Sequence, residues 1–259
     1  MSLEVDHAKA AELEREFDTE MRFRPLGVSG TWIVVALLLA LSTFHFYTAG
    51  FGLLREQTHR GVHMALVLGL IFLVFAANRR SDATSPALGW WRPGGVPLYD
   101  WALFAAAVVS SLYLPSIFQD IAFKTGNPDP IDVVMGTTLT IVVLEATRRT
   151  MGWALVIITL GFVVYAFAGP WMPGMLVHPG TTWSQLADHL YLTSQGIYGI
   201  PIGVVATYVF HFVLFGVVAM RIGLGRLFLA LAMAVAGRFA GGPAKVAIFG
   251  SALFGMISG

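Results

Sequence analysis

The sequence predicts an all-α integral membrane protein with about six transmembrane helices, followed by an interfacial helix and the first arm of a re-entrant helical hairpin. Three observations predict it. Hydrophobic residues make up 56% of the chain and charged residues 12%, whereas a soluble domain carries about 25% charged residues. Six apolar stretches, at 30–53, 61–77, 98–118, 132–149, 151–168 and 200–220, approach the roughly 20 residues that a helix needs to cross about 30 Å of hydrocarbon. Basic residues alternate between the segments that join them.

The alternation sets orientation. Lys9, Arg15, Arg22 and Arg24 precede the first stretch; Arg55 and Arg60 follow it; Arg79, Arg80 and Arg92 follow the second. Lys124 stands alone after the third, Arg148 and Arg149 separate the fourth and fifth, 169–199 has no Lys or Arg, and Arg221 and Arg226 follow the sixth. Positive loops stay on the cytoplasmic side. The N-terminus and every second loop are therefore expected in the cytoplasm of a multi-pass inner-membrane protein, with 169–199 outside. Residues 1–28 carry Glu12, Glu14, Arg15, Glu16, Asp18, Glu20, Arg22 and Arg24. They read as a cytoplasmic N-terminal segment and not as a cleavable signal peptide.

The elements follow in order. Trp32, Tyr47, Tyr99, Trp101, Trp153 and Tyr165 sit near the ends of stretches, where an aromatic belt meets the headgroups. Pro115 is expected to kink the third helix near its end. In 170–200, Pro170–Gly174 and His178–Gly180 are turn sequences. Thr182 and Gln185 then fit a capping box, opening a helix with Leu186, Leu190, Thr193 and Ile197 on one face. This outer segment reads either as an interfacial helix packed on the bundle or as a docking platform for an external protein. Between Arg226 and Arg238 lie eleven apolar residues, about 16 Å of helix and half a bilayer, expected along the cytoplasmic interface. Gly241 and Gly242 break the chain, Pro243 suits a first helical turn, and the apolar run from Val246 to Ile257 is again short. Such a Gly- and Ser-rich arm reads as half of a re-entrant hairpin, or else as an ordinary helix packed through small residues.

Several functions are excluded or disfavoured. A net charge of +1 gives nucleic acid no basic face. The absence of cysteine removes disulfides, thiolate metal sites and a cysteine nucleophile. No GxxxxGK[ST] loop is present, so an ATPase activity is not expected. No motif links the serines, histidines and acids, so no catalytic residue, metal or cofactor is assigned and the chain is read as a non-enzyme. His59 and His63 have the helical spacing of metal ligands but lack a third ligand, since Glu56 is expected on a loop; they read as interfacial histidines. His45 and His211 lie inside spans, as proton relays or as hydrogen-bonding partners of neighbouring helices. Glu145 is spaced to meet Arg148 and Arg149 and reads as a structural ion pair.

Four stretches carry a resemblance: LEATRRTMGW (144–153), AGPWMPGMLVHPG (168–180), GIYGIPIGVVATYVFHFVLFG (196–216) and GGPAKVAIFGSALFGMISG (241–259). They resemble a tripartite ATP-independent periplasmic (TRAP) transporter permease, of the TAXI type in which small and large membrane subunits are fused. The resemblance implies three regions: a cytoplasmic segment 1–28, a small-subunit-like region 29–130, and the start of a large-subunit-like transport region 131–259, with more spans expected beyond it. It implies an ion-gradient-driven secondary transporter, sodium being the expected coupling ion and a proton the alternative. A periplasmic solute-binding protein would deliver a small organic anion. Ser258 and Gly259 match the start of the family's Ser-Gly-Ser hairpin pattern, and Ser251, Gly255, Ser258 and Gly259 are expected near ion and substrate. Trp171, Gln185 and Asp188 are the expected docking residues. A membrane scaffold without a pathway of its own, and an intramembrane enzyme, are the alternatives.

Overall fold

The computed structural model describes residues 23–77, 91–239 and 241–258 and, in the last helix, side chains as far as Gly255. Six helices in it are long and apolar enough to span a membrane: α1 Val28–Phe51, α2 Glu56–Val74, α3 Leu98–Ser116, α5 Pro130–Met151, α6 Trp153–Ala168 together with the 3-10 turn Gly169–Trp171 that continues it, and α8 Ile200–Arg221. Between them lie a short α4 Ile121–Lys124 and an outer α7 Trp183–Tyr191. The sub-length helices α9 Leu224–Ala236 and α10 Gly242–Ser258 follow. All six apolar stretches of the sequence have become helices. Among the described residues there is no strand, only an isolated bridge between Phe23 and Phe75.

Helix starts follow local chemistry. α2 begins at Glu56, several residues earlier than expected, because a carboxylate in the first turn suits the helix dipole and pairs with Arg60 one turn on, at 2.5 Å. Glu56 is thus on a helix and not on a loop, and His59 and His63 face inward, both buried. α5 opens on a capping box of Asp129 and Asp132 with Pro130 at its first position. α7 opens on the expected box: Thr182 N–H donates to Gln185 Oε1 at 2.9 Å, and Gln185 N–H to Thr182 Oγ1 at 3.3 Å. It ends sooner than its apolar spacing suggested. The chain folds back so that Ile197 N–H donates to Leu190 O at 2.7 Å, leaving Thr193 and Ile197 outside the helix.

The chain divides into two compact units. The first comprises residues to Leu41 and Leu54–Ile200. Its centre is α2 packed on α3 and α5, with Phe72, Leu73, Leu114, Leu139 and Val142 almost wholly buried. Glycines bring these helices close, as expected where lipid gives no hydrophobic drive for association: a Cβ at Gly61 would lie 2.5 Å from the Pro115 ring, and one at Gly69 2.8 Å from Phe104. The turn at Pro93–Gly95 lies against the start of α1. Gly27 N–H donates to Gly94 O at 3.0 Å, and a Cβ at Gly30 would fall 2.1 Å from that same oxygen.

The second unit comprises Ser42–Leu53 and Pro201–Gly259. Within α8, residues Val205–Val209 form a π turn, which hydropathy does not reveal. α9 ends in a turn where Gly242 approaches Gly237 so closely that a Cβ would lie 2.5 Å from its carbonyl oxygen. α10 returns to place Phe254 edge-on to Phe228, with ring centroids 5.6 Å apart.

Candidate functional site

At one end of the first unit, charged residues from three elements converge. Asp100 lies in the first turn of α3 and is completely buried. Its carboxylate pairs with Arg149 at 2.7 Å and with Arg24, both arginine side chains being buried as well. Arg149 also pairs with Glu145 at 2.7 Å, and Glu145 takes Arg148 at 2.7 Å through its other oxygen. The two arginines then reach the last carbonyls beyond α2: Arg149 donates to Phe75 O at 3.2 Å and Arg148 to Ala77 O at 3.1 Å. Cations there complement the negative end of a helix dipole. Arg24 N–H donates to Val74 O at 2.8 Å, so the segment before α1 joins the same assembly. Arg149 lies over the Phe72 ring and Arg148 over Trp153, at 5.0 and 5.5 Å. Chemically the cluster holds charge at fixed places, and the Asp100 carboxylate at its centre is closed to solvent.

Sequence reasoning reached Glu145, Arg148 and Arg149 but missed Asp100 and Arg24. The available signal was Asp100 itself, because a lone carboxylate one turn into an apolar helix requires a partner. Its partners lie 76 and 49 positions away, and no local spacing names them.

A second polar cluster closes the opposite end of α3 and α5. Asp132 accepts from Tyr113 Oη at 2.7 Å and from Lys124 Nζ at 2.9 Å; Lys124 also meets Asp129 at 2.8 Å. Hydrogen bonds to Asp129 and then Asp132 hold the Lys124 ammonium well above the ordinary lysine range. Two buried tyrosines tie the outer segment to α3: Tyr191 donates to Ser110 O at 2.6 Å and Tyr198 to Ser111 O at 2.8 Å. Burial pushes both phenols above their usual range, with Tyr198 adding to the shift of Tyr191.

The expected docking residues separate. Trp171 is 81% exposed. Gln185 is exposed, with its carbonyl oxygen engaged in the cap. Asp188 is half-buried and accepts from Gly126 N–H at 3.0 and 3.1 Å, so its carboxylate fastens α7 to the 117–129 loop. An apolar groove runs beneath α7, lined by Val143, Leu144, Phe162, Leu186, Leu190 and Ile197.

In the second unit, His211 lies against α1. Its Nε2 is 2.9 Å from His45 O and 3.4 Å from Thr48 Oγ1, and its Nδ1 contacts Thr207 O. His45 is buried, its ring 4.1 Å from that of Phe210 and 5.1 Å from that of His211. Both histidines thus make contacts between helices. Among the described residues no three His, Cys, Asp or Glu side chains gather as a metal set.

On α10, Ser251 and Gly255 are exposed, and Cβ atoms built at Gly250 and Gly255 meet nothing within 4 Å. Ser258 is the last helical residue; Gly259 lies outside the described residues. The arm therefore presents small residues with open space beside the backbone, as a binding site built from backbone groups requires.

Comparison with curated proteins and with solved structures returned no match. Residues 138–259 match a family model, that of the tripartite ATP-independent periplasmic transporter, DctM component. The match begins within α5 and takes in α6 to α10, and all four stretches that carried the resemblance in sequence lie inside it. Over residues 138–259, therefore, the chain is similar to a TRAP transporter membrane component.

Proposed function

We propose that this chain is the membrane permease component of an ion-gradient-driven secondary transporter, importing a small organic anion that a periplasmic solute-binding protein delivers. The observation that carries the reading is the family match over 138–259, which falls on an architecture suited to it. After six spans come α9 and α10, with 13 and 17 residues, about 20 and 26 Å of helix. Short helices broken by glycine are the usual surroundings of transporter sites, because their ends leave backbone groups free for ions and substrate.

In this reading α10 is the first arm of a hairpin entered from the cytoplasmic side of the inner membrane. Ser251, Gly255, Ser258 and Gly259 line the ion and substrate path, and sodium is the coupling ion. The inner ion-pair cluster around Asp100 is structural. The solute-binding protein docks on the outer side, on the 117–129 loop and the exposed edge of α7 at Gln185, which Asp188 holds together.

The test is uptake by the complete transporter in proteoliposomes, with its binding protein, a labelled organic anion and an imposed sodium gradient. Ser258→Ala should lower uptake or raise the sodium concentration required for it, and Gly259→Leu should lower it further by filling the tip. Wild-type uptake in both variants would overturn the site assignment. Uptake indifferent to the gradient or to the binding protein would overturn the transport reading.

A further inference from the structure

The outer segment is the only long extramembrane connection among the described residues, and it has the dimensions of something else. α5 has 22 residues and rises about 33 Å, while its antiparallel neighbour α6 has 16 residues and rises about 24 Å. They share their inner end at Gly152, where α5 stops and α6 starts. The α-helical part of α6 therefore stops about 9 Å short of the outer end of α5, and the 3-10 turn Gly169–Trp171 carries the span about 6 Å further.

Side-chain contacts measure the same depth independently. Trp183, which opens α7, stacks on Phe167 near the end of α6 at 6.0 Å. Its indole N–H donates to Thr137 Oγ1 at 2.8 Å. Tyr191, which closes α7, packs on Gly136 so tightly that a Cβ there would fall 2.9 Å from the tyrosine Cβ. Gly136 and Thr137 lie six and seven residues inside α5, a depth of about 9–10 Å. Both ends of α7 thus meet α5 at the level where α6 ends.

The chemistry of the loop suits that depth. No Asp, Glu, Lys or Arg occurs from Thr150 to Ala187. Pro170, Pro173 and Pro179 remove backbone donors. The remaining polar groups pair within the loop: His178 N–H donates to Gly169 O at 3.2 Å, and Tyr165 Oη to Leu176 O at 3.1 Å. The His178 ring lies between two backbone groups, with Nε2 3.1 Å from Tyr165 O and Nδ1 accepting from Gly180 N–H at 3.1 Å. As far as Gly180 the large outward side chains are Trp171, Met175, Leu176 and Val177, all exposed, and exposed polar side chains begin only at Thr182. A loop with paired polar atoms inside and apolar side chains outside is what lipid tolerates.

We infer that residues 169–180 are seated in the outer leaflet, where Trp171, Met175, Leu176 and Val177 contact lipid. The surface available to a soluble partner then begins at the 117–129 loop and the polar edge of α7 that carries Gln185 and Asp188.

The absence of native cysteine makes the test direct. Met175→Cys and, separately, Val177→Cys carry a nitroxide in the whole chain, reconstituted in phosphatidylcholine–phosphatidylglycerol vesicles without any binding protein. Asn127→Cys is the aqueous reference. Power-saturation EPR should show oxygen exceeding a water-soluble nickel chelate as relaxant at 175 and 177, with the reverse at 127. Bromination of the lipid acyl chains should also quench more fluorescence in the parent than in Trp171→Phe. Nickel accessibility at 175 and 177 equal to that at 127 would overturn the proposal, and so would protection from both relaxants, which means a protein cover.

Discussion

Asp100, in the first turn of α3, and Arg149, in the last turn of α5, form an ion pair of 2.7 Å in which both side chains are excluded from solvent. Arg24 completes the Asp100 carboxylate from the other side. Removing Asp100 leaves two buried guanidinium groups without their shared partner, and breaking a buried pair costs about 3–5 kcal/mol. Asp100→Ala should lower the melting temperature of the purified protein sharply. Glu145→Gln, at a half-buried position, should lower it much less. Equal losses from the two would show that Asp100 is not the centre of the cluster.

Close approach at Gly136 sets a second expectation. Gly136→Ala drives a methyl group against Tyr191 and the Ala187 carbonyl oxygen, at 2.9 and 3.3 Å. Overpacking of this kind costs about 1–3 kcal/mol, and here it should also loosen α7. Limited proteolysis between 192 and 199 should speed up in the variant while far-UV helicity stays near the parent value. Gly161→Ala, where a Cβ meets nothing within 4 Å, serves as the control.

Alkaline pH should reveal the raised phenols. Tyr191 and Tyr198 titrate above their usual range in the folded protein because burial disfavours the phenolate, and Lys124 is held above its own by Asp129 and Asp132. A raised folded value contributes stability in full below the unfolded value and loses it as pH rises through the folded one. Unfolded Tyr and Lys titrate at about 10 and 10.4. The melting temperature should therefore show no contribution from these groups' titration between pH 7 and 9 and should fall above about pH 10. Phenolate absorbance in Tyr191→Phe and Tyr198→Phe identifies the late titration, since each variant should lose one late-titrating group.

Sidedness follows from the loop charges. In right-side-out vesicles a membrane-impermeant maleimide should label Asn127→Cys at once and Arg226→Cys only after permeabilisation. The opposite order would invert the assigned orientation.

The number and order of spans were legible because lipid imposes one requirement on every crossing segment, a long apolar run, and the six runs met it. The start of α7 was legible for a local reason: Thr182 and Gln185 cap each other across three residues. Its end was not, because Ile197 returns to Leu190 through a turn, and apolar spacing looks the same in a helix and in a fold-back. The inner cluster was half legible. Glu145, Arg148 and Arg149 are neighbours on one helix, whereas Asp100 and Arg24 reach them through packing alone. The depth of the outer segment was hidden for a similar reason. A stretch without charge reads as a connector until Trp183 and Tyr191 are seen to meet α5 at Thr137 and Gly136.

The π turn at Val205–Val209 has a consequence for how this chain tolerates changes in length. A π turn accommodates one residue more than an α turn. Deleting one residue from it would let the turn close as an ordinary α turn and leave Phe210–Arg221 nearly in its present register. His211 would then keep its seat against His45 and Thr48. The same one-codon loss in the α-helical stretch between Phe210 and Arg221 would turn everything after it by about 100°, so this span tolerates a change of length at one turn that hydropathy does not record.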